Sequence, residues 1–255
     1  MADYKKPQKF IKKFEGEASK TKSDSASINC TSGCRGTFKG ATSDQWHTRL
    51  GVTWCTFNGW ADKKNIPQSE RCNRFINMTE SDWLDIWKSG FWDKINGDEI
   101  KSQAIAEYWA NAKWGNPSTA NRFIAKALNK NGFNVDEDNV DEIVNAINSI
   151  KDRKQELKIF NDFVDARIEW LNSLSGASKN KGWFKRQESF RKRGRALIKS
   201  KDSAGYSALY KALGKFDSDF RTANSDSKDN TLIIGIGILG VSLAALYLID
   251  KKIKK

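Results

Sequence analysis

A glutamate that directly follows a short apolar pattern is the residue best suited to acid–base chemistry. Phe10, Ile11 and Phe14 have the spacing that puts three side chains on one face of a helix. Glu15 comes next, before Gly16, a residue type that commonly ends helices. A carboxylate there borders an apolar face and lies at the negative end of the helix dipole, and both effects disfavour its charged form. General acids that cleave glycosidic bonds need such a protonated carboxyl group. A solvated glutamate at a helix end is the simpler interpretation of the spacing alone.

A second segment brings small and hydroxyl side chains close together downstream of Glu15. Gly36, Thr37, Gly40 and Thr42 fall within seven positions. The glycines predict a tight turn or a short hairpin over residues 33–40. Thr42 lies three residues before a glutamine, which is the capping-box spacing and predicts a helix that begins at Thr42.

The elements that must position these residues are predicted to be mainly helices. Thr79 and the acidic residues that follow it predict a helix start. Trp83 and Trp87 are one helical turn apart, and the alanine-rich residues 98–113 predict a central helix buried on several sides.

The order of these segments resembles a known family. Residues 10–16 read Phe-Ile-x-x-Phe-Glu-Gly and residues 36–42 read Gly-Thr-x-x-Gly-Ala-Thr, a pattern similar to the lysozyme-like N-acetylmuramidases, glycoside hydrolase family 108. That family opens with a helix ending in Glu-Gly-Gly and continues with a Gly-Gly-x-Thr-x-x-Gly-Ile-Thr loop. Three later segments are also similar to the family: Met78–Asp93, Gln103–Gly115 and Gly182–Arg186.

The resemblance implies a mainly α, lysozyme-like helical domain with a small β-element. It also implies a peptidoglycan hydrolase that cleaves the β-1,4 bond between N-acetylmuramic acid and N-acetylglucosamine, with Glu15 as the general acid. A second group must position water or stabilise the oxocarbenium-like state. Thr37 and Thr42 match the family's loop and are the catalytic candidates for that role, and Glu17, Asp24 and Asp44 are alternatives. Lytic transglycosylase chemistry, which needs one glutamate and no water, stays open.

Substrate contacts are expected at six positions around this site: Glu17, Gly36, Gly40, Asp44, Trp92 and Trp114. The chain departs from the family pattern, since Glu17 replaces the second glycine of Glu-Gly-Gly and Arg35 replaces the first glycine of the loop. The acidic residue that usually precedes that loop is also missing. These departures favour an alternative function, a non-catalytic peptidoglycan-binding or structural component of a phage virion or secretion system that keeps the fold.

The four cysteines admit three interpretations: they are Cys30, Cys34, Cys55 and Cys72. Two disulfides would pin loops beside the cleft in an oxidising compartment. A zinc site is the second interpretation, although the spacing lacks the second tight pair of a zinc ribbon. Free buried thiols are the third. His47 is the one histidine, which gives serine–histidine and histidine–metal enzymes little support. We expect no metal and no cofactor.

The formal charge of +13 suits an anionic partner. Nucleic acid, anionic membrane and bacterial cell wall all qualify, but no nucleic-acid-binding signature is present. We therefore expect peptidoglycan rather than nucleic acid as the partner, and a membrane-anchored nucleic-acid binder rests on the charge alone.

The C-terminal region predicts a membrane anchor. Residues 232–249 carry no charge and four lysines follow them, and 18 residues span roughly 27 Å as a helix. A buried core helix is the alternative. We expect a muramidase domain over residues 1–199, a polar tether over 200–230, a transmembrane helix over 231–250 and a basic tail over 251–255. The protein would be anchored in the bacterial inner membrane or associated with a phage. The lysines favour a cytoplasmic C-terminus, but the first twenty residues contain no secretory signal, so the side of the membrane stays open.

Overall fold

The computed structural model describes residues 1–19 and 33–200. The predictions for Asp24, Cys30, residues 201–230 of the tether, the transmembrane segment and the basic tail lie outside these residues. Within the described part of the chain, no helix is both long and apolar enough to cross a membrane.

The described residues are mainly helical with a small β-element, as predicted. The α-helices are α1 (Gln8–Lys12), α2 (Trp54–Lys63), α3 (Gln68–Ile76), α4 (Glu80–Trp87), α5 (Gln103–Gly115), α6 (Ala120–Lys130), α7 (Val140–Asn148), α8 (Arg153–Ser173) and α9 (Lys181–Lys199). A π-helical turn (Lys88–Trp92) extends α4, and 3-10 turns cover Asp93–Ile95, Gly97–Glu99 and Ala177–Lys179.

Among the described residues, five short strands form two antiparallel sheets. Strands β1 (Ala18–Ser19), β4 (Thr48–Arg49) and β5 (Val52–Thr53) pair in the order β1-β4-β5. Strands β2 (Cys34–Phe38) and β3 (Ala41–Trp46) form a separate hairpin. Both small sheets lie between α1 and α2 in the chain, in the stretch that carries the predicted loop.

The β2–β3 hairpin confirms the turn predicted at residues 33–40 and corrects the helix predicted from Thr42. Lys39 and Gly40 have positive φ angles of 48° and 78°, the geometry of a two-residue turn whose twist matches antiparallel strands. Thr42 therefore lies opposite Thr37 in the hairpin. The edge-to-face contact of Trp46 with Phe38, with ring centroids 6.0 Å apart, supports the paired form. The capping-box spacing was a chance match, because strand pairing overrides a local helix signal.

The central helix is α5, and the predicted burial on several sides is confirmed, since it is buried all round from Gln103 to Ala112. Ser102 caps it by accepting a hydrogen bond from the Ile105 backbone N–H. Every residue from Gln103 to Ala112 is buried. Tyr108 packs against Phe163 of α8 and Phe190 of α9, with ring centroids 4.7 and 5.6 Å apart. Helix α5 thus joins the C-terminal helices to the rest of the domain.

Helix α1 is fixed by its apolar face. Ile11 is fully buried and Phe10 is nearly so. Phe10 and Phe14 both pack on Phe190 of α9, with centroid distances of 4.8 and 6.2 Å. The predicted shared face of α1 is therefore the contact with α9, and it sets the position of Glu15.

A disulfide ties the hairpin to the helices. Cys34 in β2 is bonded to Cys72 in α3, and Cys55 is also disulfide-bonded. The disulfide interpretation is therefore confirmed for Cys34 and Cys72. The zinc and free-thiol interpretations are wrong for these two residues, because a disulfide sulfur is neither a thiol nor a thiolate ligand.

Candidate functional site

Glu15 lies just past α1 in a turn that continues the helical path. The Phe14 and Glu15 backbone N–H groups donate to the carbonyls of Ile11 and Lys12, at 3.0 and 3.2 Å. The Glu15 side chain is 12% exposed. The carboxylate therefore lies largely inside the protein rather than in solvent at a helix end.

Arg186 of α9 forms an ion pair with Glu15. Its Nη1 donates to Oε1 of Glu15 at 2.7 Å, across 171 residues of sequence. The Arg186 side chain is 18% exposed, and its guanidinium carbon lies 5.5 Å from the centre of the Phe14 ring. Segment Gly182–Arg186 of the family resemblance thus contacts residues 10–16, the first segment.

Asn111 of α5 holds the other side of the same guanidinium. Its Oδ1 accepts hydrogen bonds from Nε and Nη2 of Arg186, at 3.1 and 2.7 Å. Asn111 is fully buried, so its own orientation is set by packing. Its Nδ2 has no hydrogen-bond partner among the described residues.

The turn between β4 and β5 packs against the carboxylate. Leu50 and Gly51 have φ angles of 50° and 77°, and a Cβ atom on Gly51 would lie 2.4 Å from Oε2 of Glu15. Only glycine leaves room for the carboxylate there. The turn is held by the Leu50 carbonyl, which accepts from Nε1 of Trp83 at 3.0 Å, and by the Leu50 N–H, which donates to Glu17 at 3.0 Å. A leucine with positive φ is strained, and such strain clusters at functional sites.

The predicted hydroxyl pair lies on the exposed side of the hairpin. Oγ1 of Thr37 and Oγ1 of Thr42 are 2.9 Å apart. Glu17 links the Glu15 segment to the hairpin turn, since Lys39 donates to its carboxylate at 2.6 Å. This hydrogen bond and the charge of Lys39 lower the pKa of Glu17. The catalytic role of the two threonines and the substrate contact of Glu17 stay predictions.

The remaining predicted loop residues have structural positions of their own. Gly40 forms the hairpin turn, and Asp44 lies in β3. A Cβ on Gly36 would lie 2.2 Å from Cδ1 of Ile76, so this glycine lets the hairpin approach α3. Their substrate contacts stay predictions.

The two predicted tryptophans differ in exposure. Trp92 is fully buried, and its indole donates to Asp98 at 2.8 Å and packs on Gly97. It is a core residue with no surface for a substrate. Trp114 is half-buried and contacts Trp83 and Phe91, with centroids 5.4 and 4.8 Å apart. Trp114 is therefore partly exposed, and its substrate contact stays a prediction.

A second arginine of the C-terminal helices adds positive charge behind the ion pair. Arg167 of α8 is 4% exposed, and its Nη2 donates to Oδ1 of Asn116 at 3.3 Å. Its Nε and Nη1 have no hydrogen-bond partner among the described residues. Burial lowers the pKa of Arg167, and repulsion from Arg186 lowers it further, while Tyr108 acts in the opposite sense.

Among the described residues, no group of histidine, cysteine, aspartate and glutamate side chains is arranged to hold a metal ion. The carboxylate of Glu15 lies between the guanidinium of Arg186 and the Gly51 turn.

Sequence reasoning missed Asn111, Leu50 and Gly51, and it assigned no role to Arg186. Asn111 stands out in retrospect as an amide within a helix of alanine and aromatic residues. Arg186 belongs to the closing Gly-Trp-x-x-Arg segment, but no spacing indicates that it reaches Glu15. The Leu-Gly pair at 50–51 carries no clear turn signal.

Comparison with known proteins finds a family match for part of the chain and a likeness of fold. The model of the glycosyl hydrolase 108 family matches residues 8–116, which include Glu15, the hairpin, Gly51 and Asn111. A comparison with curated proteins finds no match. The solved structure of Brucella abortus SagA is similar, with 21% sequence identity and a TM-score of 0.56 over 79% of this chain and 97% of that chain. This likeness shows a shared fold, and the match to the family over residues 8–116 supports a glycoside hydrolase-like function.

Proposed function

We propose that this protein is a peptidoglycan hydrolase of the muramidase type. It would cleave the β-1,4 bond between N-acetylmuramic acid and N-acetylglucosamine, with Glu15 as general acid. The observation that carries the proposal is the largely buried Glu15 carboxylate, held by Arg186 and Gly51 within the segment that matches the glycosyl hydrolase 108 family.

The proposed chemistry follows from the position of the carboxyl group. Protonated Glu15 gives its proton to the glycosidic oxygen as the bond from that oxygen to the anomeric carbon breaks. The carboxylate left behind faces the guanidinium of Arg186, and charge stabilisation of this kind is strong in a site that excludes water. Thr37 and Thr42 are the candidates for positioning the attacking water, with Glu17 and Asp44 as alternatives.

The setting we propose is a phage lysis enzyme or a wall-remodelling component of a virion or secretion system. The chain would be anchored by residues 231–250 in the bacterial inner membrane or carried with the phage. Its charge of +13 suits the anionic wall.

A second candidate function is a non-catalytic peptidoglycan-binding or structural protein with the same fold. The observation that favours it is Glu17, which replaces a family glycine and forms an exposed ion pair with Lys39 at 2.6 Å. This pair joins the Glu15 segment to the hairpin. The family pattern has a glycine at the position of Glu17, so it could not form such a pair.

The deciding measurement is the loss of turbidity of purified Gram-negative peptidoglycan with the full chain in detergent. We expect Glu15→Gln to reduce clearing by about 10²–10⁴-fold, since amide nitrogen cannot serve as the acid. Glu169→Gln is the matched control, because Glu169 is exposed and paired with Lys126 at 2.7 Å.

Mass analysis of the fragments separates the two chemistries. Reducing ends indicate hydrolysis, and anhydro ends indicate transglycosylation. No clearing by the wild-type protein, with the fold and wall binding intact, would favour the non-catalytic function. Full activity of Glu15→Gln would remove Glu15 from the mechanism.

A further inference from the structure

We propose that Arg186, oriented by Asn111, is a positioning residue for Glu15. It holds Oε1 of the carboxyl group and leaves Oε2 as the oxygen that carries the transferred proton. This inference rests on the proposed function. It extends the working site beyond residues 8–116, the segment that matches the family.

The guanidinium of Arg186 is fixed on both edges. Nε and Nη2 donate to one oxygen of Asn111, and Nη1 donates to Oε1 of Glu15. A guanidinium is planar and its donors have a fixed fork geometry. Anchoring one edge on a fully buried amide therefore sets the direction of the donor that meets Glu15. A lysine at this position keeps the charge but loses the fixed direction.

The neighbouring ion pair on the same helix shows what a purely structural pair looks like. Arg193 lies two turns after Arg186 and pairs with Glu107 of α5 at 2.6 Å, and both side chains are at most 5% exposed. The pair of Arg186 and Glu15 is more accessible, at 18% and 12%. Two arginines of α9 thus make similar contacts with carboxylates, and the pair with Glu15 is the more exposed of the two.

The two carboxyl oxygens of Glu15 have different environments. Oε1 accepts a hydrogen bond from Arg186, which disfavours a proton on that atom. Oε2 lies against Gly51 and has no hydrogen-bond partner among the described residues. In the proposed reaction, the transferred proton is therefore the one on Oε2, the oxygen that Arg186 does not contact. When it moves to the glycosidic oxygen, the charge that forms on the carboxylate is shared with the oxygen that Arg186 holds.

The test combines substitution with chemical rescue in the full chain. We expect Arg186→Ala to lower kcat by about 10²-fold, the loss expected for a misplaced catalytic group, while KM changes little. Guanidinium at low, non-denaturing concentration should restore part of kcat, because it can occupy the vacated space. Sodium chloride at the same concentration should not restore kcat. Arg191→Ala is the matched control, since Arg191 is also on α9 and pairs with Asp165 at 2.6 Å.

Two further variants keep the proposal falsifiable if Arg186→Ala does not fold. Arg186→Lys should fold and show a lowered kcat, and Asn111→Ala should lower kcat without rescue by guanidinium. Wild-type kcat in Arg186→Lys would overturn the proposal. So would a lowered kcat in Arg186→Ala that guanidinium does not restore. An inactive Glu15→Gln beside a fully active Arg186→Ala would remove the positioning role and leave the proposed function standing, whereas an active Glu15→Gln would remove both.

Discussion

At the scale of single residues, the site depends on Gly51 as well as on Glu15, because a glycine has no side chain to displace the carboxylate. Gly51 has a φ of 77° and lies directly against the carboxylate. A side chain at this position has to push the carboxyl group away from Arg186 or shift the β4–β5 turn. Gly51 thus combines two reasons for glycine, a left-handed backbone and a close approach.

We expect Gly51→Ala to lower both stability and activity. The left-handed backbone costs about 1–2 kcal/mol with a Cβ, and the contact of 2.4 Å with Oε2 displaces the carboxyl group. Thermal unfolding and wall clearing measure the two effects.

Gly132→Ala is the control for Gly51→Ala. Gly132 has a φ of 86° but open space around the position of a Cβ. The Gly132→Ala variant should be destabilised by a similar free energy and should keep full activity. Equal activity of both variants would contradict the role assigned to Gly51.

At the scale of the elements, the N-terminus of α4 is determined by the residues next to it in the sequence. Oγ1 of Thr79 accepts from the Asp82 N–H at 3.1 Å, and the Asp82 carboxylate accepts from the Thr79 N–H at 3.3 Å. This capping box confirms the predicted helix start at Thr79. Helix α4 then supplies Trp83, whose indole holds the Leu50 carbonyl beside the site.

The same carboxylate makes the stability of α4 depend on pH. Burial on its own would raise the pKa of Asp82, but hydrogen bonds from Arg74 and Thr79 outweigh it and lower the pKa. The stabilisation is therefore complete above the unfolded pKa of about 4 and is lost as the pH falls through the folded pKa.

We expect Asp82→Asn to destabilise the protein by about 1 kcal/mol at pH 7, the usual size of a cap. The difference from the wild type should shrink as the pH falls below about 4, because the unfolded chain takes up a proton there before the folded carboxylate does. Urea unfolding at pH 7 and pH 3 measures it. Asp138→Asn, at an exposed position, is the control, and a difference that grows towards acid would contradict this account.

At the scale of the whole domain, α5 connects the segment that matches the family to α9. Three polar contacts run along this interface: Glu107 with Arg193 at 2.6 Å, Tyr108 with Gln187 at 2.8 Å, and Asn111 with Arg186 at 2.7 Å. Two of these are buried and the third reaches the site. Helix α9 thus stabilises the core and also supplies Arg186, which contacts Glu15.

We expect Glu107→Gln to cost about 3–5 kcal/mol, because it removes the carboxylate that pairs with the buried Arg193 guanidinium at 2.6 Å. Replacing both residues by methionine should recover most of this loss. Glu169→Gln, in an exposed pair, should change the free energy of unfolding by less than about 1 kcal/mol. Denaturant unfolding measures all three, and a loss below 1 kcal/mol in Glu107→Gln would show that the ion pair is dispensable.

The sequence by itself determined the features that depend on neighbouring residues. The apolar face of α1, the start of α4 at Thr79, the stacking of Trp83 and Trp87 and the buried α5 all follow from spacing within one helix. Glu15 was singled out by the resemblance of residues 10–16 and 36–42 to the family, because the spacing alone favoured a solvated glutamate at a helix end.

Only the tertiary structure decided what surrounds Glu15. Thr42 lies in a strand rather than a helix because its partner Thr37 is paired across the hairpin, and Trp92 is buried because Gly97 lets the backbone close over its indole. Arg186 reaches Glu15 only because α1 and α5 both pack on α9, so that residues 171 positions apart come into contact. Such contacts depend on how helices distant in the sequence pack together. The periodicity within the Glu15 segment or the Arg186 segment does not predict that packing.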